Sequence, residues 1–156
     1  MYYAEKAVNF VETVSKHVPP CVLFSVICTF FNGWNTSARF QVLDKVCLIC
    51  SECQGFDSIE HYACCSYQWP VFGKKFRTSV FPMSLPRFLG VLAEEVDDMV
   101  FHACHMYAVQ SAVRSRWKDQ IITGPDAVEA LIWQGHRTAL ALHSGLRRRY
   151  RNLWQS

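Results

Sequence analysis

A chain of 156 residues can bury one core but not two independent ones. Hydrophobic residues at 51% and charged residues at 19% exclude a disordered polypeptide, and a formal net charge of +3 is too small to argue for nucleic-acid binding by itself. The charge is uneven, with eight Lys or Arg against three Asp or Glu from Arg114 onward and an acidic run from Glu94 to Asp98. The first sixteen residues carry Glu5 and Glu12 and lack a basic stretch followed by an apolar one, so no secretory leader is expected and the chain reads as intracellular. The longest apolar run, Cys21 to Phe31, has eleven residues against the ~20 needed to span a bilayer, so no membrane association is expected.

In chain order, Tyr3, Ala7, Phe10, Val11 and Val14 recur at helical spacing, and Val18-Pro19-Pro20 ends that helix. A second segment opens on proline and runs through Val22, Leu23, Val26, Ile27, Phe30 and Phe31. It is apolar nearly all round, which predicts a helix at the centre of the core. Asn32-Gly33 is a helix stop, followed by an aromatic and polar connector, Trp34 to Gln41. Pro70, Gly73 and Pro82 make Ser66 to Pro82 read as a loop carrying Lys74, Lys75 and Arg77. Ser84, with Pro86 two residues on, predicts the start of a long amphipathic helix of about thirty residues through Leu89, Leu92, Val96, Met99, Ala103, Met106, Val113 and Trp117. Gly124-Pro125 restarts the chain, and Val128, Leu131, Ile132, Ala139, Leu142 and Leu146 mark a last helix with a basic end. The expected architecture is one mostly α-helical domain over 1–156, in which residues 84–156 form a long helical hairpin and residues 47–65 form a zinc-knuckle-like loop.

That loop holds the densest chemistry. Cys47, Cys50, Cys53, Cys64 and Cys65 join His61 within nineteen residues, with Cys-x2-Cys on one side and His-x2-Cys or His-x3-Cys on the other. Tetrahedral zinc takes four thiolate or imidazole ligands, and two close pairs joined by a short loop supply them. In a reducing compartment such clustering favours metal over a disulfide framework. The conventional set is Cys47, Cys50, His61 and Cys65, with Cys53 and Cys64 as alternates. Three thiolates and a neutral imidazole close the coordination sphere, so the zinc would be structural and would not activate water. The competing explanation treats these cysteines as small core residues.

The block Asn32-Gly33-Trp34-Asn35-Thr36-Ser37-Ala38-Arg39-Phe40, the Cys-x2-Cys pair, then Asp57-Ser58-Ile59-Glu60-His61-Tyr62 and a closing cysteine resemble the zinc-binding segment that follows the polymerase domain in non-LTR retrotransposon reverse transcriptases. The resemblance spans about residues 31–69 and implies ligand roles for Cys47, Cys50, His61 and Cys65. It also implies a nuclear or cytoplasmic protein whose partners are RNA or single-stranded DNA and a polymerase domain supplied in cis or in trans. Polymerase chemistry needs paired aspartates on a tight strand turn to hold two metal ions. The one Asp-Asp pair, Asp97-Asp98, lies in a helical pattern, so the chain is expected to be non-catalytic.

Arg147, Arg148, Arg149 and Arg151 interleave with Tyr150 and Trp154, and Arg114, Arg116 and Lys118 flank Trp117. Arginine neutralises phosphate and aromatic rings stack on unpaired bases, so these two groups, with Lys74, Lys75 and Arg77, are the candidate nucleic-acid contacts. The competing explanation is that basic residues at helix ends complement the macrodipole. Asp98 and His102, at i and i+4, are a minor second metal candidate set against a solvated polar stripe. From another functional class comes a zinc-stabilised protein-interaction module, in which the long seam from Leu89 to Trp117 pairs with another protein or with a second copy of the chain. A degenerate fragment is the third reading.

Overall fold

The computed structural model describes residues 2–34, 36, 47–49, 55–76, 84–119, 125–142 and 145. Among them the chain forms seven helices and no strand: α1 (Tyr2–Ser15), α2 (Pro20–Phe30), α3 (Ile59–Cys64), α4 (Trp69–Phe76), α5 (Leu85–Phe88), α6 (Val96–Asp119) and α7 (Pro125–Ala141). The all-α class is as the periodicity predicts. No described helix is long and apolar enough to cross a membrane.

Helix α6 is the axis of the fold, and α1, α2 and α7 all pack against it. From Met99 to Val113 it is buried on almost every side, including Phe101, His105, Met106, Ala108 and Val109. Helix α7 runs antiparallel beside it, because Ala108 lies against Gly135 while His105 meets His136. A Cβ on Gly135 would come within 2.6 Å of the Ala108 Cα, so the two small residues set how closely the hairpin arms approach.

The expected places of α2 and α6 are exchanged. Helix α2 buries Val22, Ser25, Val26 and Thr29, yet it leaves Phe24, Ile27 and Phe31 exposed on the opposite side. It lies beside the core, packed mainly against α1 and α6 among the described helices. Its inward face is chosen by two hydroxyls that find partners there. Ser25 Oγ donates to Gln110 Oε1 of α6 at 2.6 Å, Thr29 Oγ1 donates to the Ser25 carbonyl at 2.7 Å, and Trp34 Nε1 donates to Thr29 Oγ1 at 2.9 Å. Buried polar groups that are paired cost little, whereas unpaired ones cost ~1–3 kcal/mol each. Satisfying these groups outweighs apolarity in orienting the helix. Asn32, at φ 49°, terminates α2 as the Asn-Gly pair predicts.

Two segments depart from their expected structure. Residues 69–76 are helical where a loop was expected, because Pro70 lies in the first turn of α4, where a missing N–H costs nothing, and Gly73 is accommodated within the helix. The Lys74 ammonium then ties α4 to Glu129 of α7 in an ion pair that pulls the Glu129 carboxyl below its usual range. The thirty-residue helix expected from Ser84 is instead a single turn, α5, followed by a reversal and then the 24-residue α6. The break falls at Gly90, whose φ of +70° favours glycine and whose Cα faces the Phe10 and His102 side chains. Leu89 and Val96 are partly buried against the same core on either side of this turn, whereas Leu92 between them is exposed. Gly90→Ala is expected to destabilise the chain by about 2–4 kcal/mol, combining left-handed strain with overpacking, measured by urea or thermal unfolding.

Candidate metal centre

Helix α3 is the platform for the site. Its N-cap is Ser58, whose hydroxyl accepts from the His61 backbone N–H at 3.1 Å, so a cap also fixes the backbone of a ligand residue. Ile59, Tyr62 and Ala63 face the core, and His61 is left half-buried on the flank. Cys65 ends the helix in extended backbone, which turns its side chain off the helix path. Across from it, Cys47 donates its backbone N–H to the Gly55 carbonyl at 2.8 Å.

A buried tether holds the two halves together. The Tyr62 hydroxyl donates to the Asp57 carboxylate and accepts from the Leu48 N–H at 3.3 Å. Asp57 and Tyr62 are both fully buried, and burial first, then the Asp57 carboxylate, pushes the phenol pKa up, so Tyr62 stays a donor. The tether joins the residue after one cysteine to the helix that carries His61.

Cys47, His61 and Cys65 converge, with one ligand atom from each lying within 4.8 Å of the others. Two sulfurs and an imidazole are a donor set suited to zinc and other thiophilic ions. The hydrogen bond to Cys47, then burial, pushes the Cys65 thiol pKa up, while the backbone N–H groups of Tyr67 and Gln68 favour the thiolate. A cation overrides the upward shift by replacing the thiol proton. Cys64 is exposed and lies outside the group, so of the two adjacent cysteines it is Cys65 that joins Cys47 and His61. Cys50 and Cys53 lie outside the described residues.

Sequence reasoning missed Gly55. A Cβ there would lie 2.1 Å from His61 Nδ1, so the imidazole sits where a side chain would otherwise be. Gly55→Ala is expected to displace His61 and weaken metal affinity roughly ten- to hundredfold, as changes beside a ligand do, read by competition with a chromophoric chelator.

The candidate nucleic-acid contacts are not gathered into one place by the described structure. Lys74 is engaged with Glu129, and Arg114 is exposed on α6. The register that sets Ala108 opposite Gly135 brings Glu129 level with Arg114, so Lys74 and Arg114 share one end of the hairpin. Lys75 belongs to α4, and Arg116 and Lys118 belong to α6. Arg77, Arg147, Arg148, Arg149, Tyr150, Arg151 and Trp154 lie outside the described residues. The hairpin is antiparallel, so α7 ends remote from Arg114.

The histidines of α6 overturn the expected solvated stripe. His102 is buried, its ring edge-on to Phe101, and His105 is fully buried; no second metal-ligating group forms among the described residues. His105 instead occupies a polar relay. The Gln68 amide donates to the Ala63 carbonyl at 3.2 Å, which aims its oxygen at His105 Nε2. His105 must therefore donate from Nε2 and accept at Nδ1, so His136 donates from Nε2 across 3.1 Å. Phe101 stacks on both imidazoles.

Burial lowers the pKa of both histidines, His136 to about 3 and His105 well below its ordinary value, the latter also through the neighbouring His136 and His102. The unfolded chain binds protons near pH 6.5 while the folded chain does not. Stability is therefore full above that pH and falls as pH drops, by up to about 1.4 kcal/mol per unit for each histidine. Unfolding midpoints measured from pH 8 to 5 in chelator should show this slope, and His136→Gln should reduce it.

No known protein family, curated protein or solved structure matches the chain. The likeness to the retrotransposon segment therefore rests on the residues quoted for it.

Proposed function

We propose that the chain is a zinc-stabilised, non-catalytic nucleic-acid-binding accessory segment of a retrotransposon reverse transcriptase. The observation that carries this reading is the convergence of Cys47, His61 and Cys65, a motif read from sequence alone, on one point of a helical scaffold. In this reading zinc is the ion and Cys50 completes the four-ligand set, leaving no open position for catalysis. The metal fastens the Cys47 turn to α3. Trp34, buried against Tyr62 at 5.8 Å between ring centroids, links that clasp to the connector in which the resemblance begins. Template or element RNA would lie along the basic groups, with the polymerase domain supplied in cis or in trans.

The purified chain is expected to carry one zinc per molecule by elemental analysis; none after refolding with zinc would remove the metal from this reading. RNA binding is expected to weaken steeply with salt and with Arg147, Arg148, Arg149 and Arg151 changed to Gln, measured by fluorescence anisotropy. Unchanged affinity in that variant would exclude the tail as the binding surface.

One observation favours an interaction module as the second reading. The seam from Leu89 to Trp117 does not offer the expected docking surface, since its described core, Met99 to Val113, is largely buried inside the molecule. The exposed Phe24 and Ile27 of α2, with Phe31 at its C-terminal end, present an apolar face instead. Sedimentation separates the readings: a stable dimer without RNA affinity supports the module.

A further inference from the structure

The metal group contains two cysteines whose surroundings differ from those of the other described thiols. Cys47 and Cys65 are each about 2% exposed, and their sulfurs lie within 4.8 Å of each other. Neither residue is inside a helix: Cys47 sits in irregular backbone just before a bend, and Cys65 follows the last residue of α3 in extended backbone. Short backbone shifts can therefore close the remaining distance to the ~2.05 Å of an S–S bond. Cys104, by contrast, is locked in the middle of α6, and Cys64 is exposed at the end of α3.

We propose that Cys47 and Cys65 form a thiol redox switch, in which hydrogen peroxide joins them as a disulfide and so discharges the metal. This inference rests on the metal-centre reading above. One thiolate attacks a peroxide oxygen, the O–O bond breaks, and a sulfenic acid and hydroxide form. The second thiolate displaces hydroxide from that sulfur and the S–S bond closes. The two thiolates lose two electrons, the peroxide gains them, and the two hydroxides take up solvent protons as water. Neither sulfur then remains an anionic ligand, and the two ligands left in the proposed set, Cys50 and His61, are too few to hold the ion, which leaves as a dication. The water-sized oxidant suits a buried pair that bulky disulfides would not reach, and a thiol reductant with fresh metal reverses the change.

The test uses the full zinc-loaded chain. Metal content is measured first, peroxide is added, and zinc release is followed with a chromophoric chelator while peptide mass spectrometry maps the disulfides. The expected result is one zinc released for each Cys47–Cys65 disulfide, reversed by reductant plus zinc, and unchanged in Cys64→Ser because that thiol stands outside the group. Zinc release accompanied by another linkage, or abolished in Cys64→Ser, overturns the switch and leaves the metal centre intact. Retention of zinc at peroxide levels that oxidise Cys64 overturns it as well. Absence of metal before peroxide overturns the metal centre itself and with it the switch.

Discussion

The hydrogen-bonded line from His136 through His105 and Gln68 to the Ala63 carbonyl is the constraint on which the rest of the structure depends. It begins on α7, crosses α6 at its most buried point and ends on α3, two residues before Cys65. Each group in it is buried, so each donor must be matched to an acceptor, and the matching leaves one set of tautomers. Such a line admits little sliding, since a shifted register would strand polar atoms in the core. The Trp69 indole donates to the same Ala63 carbonyl at 2.9 Å, so the segment leading into α4 is held at that point too. The hairpin and the candidate metal-binding loop are in this way parts of a single packing problem.

A second consequence follows from where polar side chains found partners. Helix α6 contains two histidines and a glutamine in its buried stretch, whereas α2 has no charged residue at all, yet α6 is central and α2 peripheral. Hydropathy ranks side chains one at a time, while burial depends on whether a polar atom can be paired inside. The His105 relay and the Ser25–Gln110 bond supply such pairing for α6 and for one side of α2, although Gln110 Nε2 is buried without a hydrogen-bond partner. Phe24, Ile27 and Phe31 are left outside because no described helix lies over them.

The metal group owes its geometry to neighbours more than to ligands. Ser58 caps α3 at His61, Gly55 makes room for the imidazole, and the Tyr62–Asp57 bond holds the helix against the turn after Cys47. These are short-range devices within nineteen residues, which suits a clasp that orders a small loop against a larger helical body. The proposal of an accessory role fits this division between a helical scaffold and a small group of side chains able to hold a metal ion.

Much of this was legible beforehand. Helical periodicity, the Pro19-Pro20 and Asn32-Gly33 stops and the Gly124-Pro125 restart are local signals, and local backbone sterics decide them. The cluster of Cys47, His61 and Cys65 was likewise visible, because ligand spacing reflects the reach of a loop around an ion. Three things were decided only by tertiary structure. The reversal at Gly90 depends on Phe10 and His102 arriving from other helices; the exchange of α2 and α6 depends on distant partners for Ser25 and His105; and the choice of Cys65 over Cys64 depends on which way the chain leaves α3. Spacing along a chain says which side chains can meet, but whether they do is settled by how buried polar atoms find one another across elements far apart in sequence.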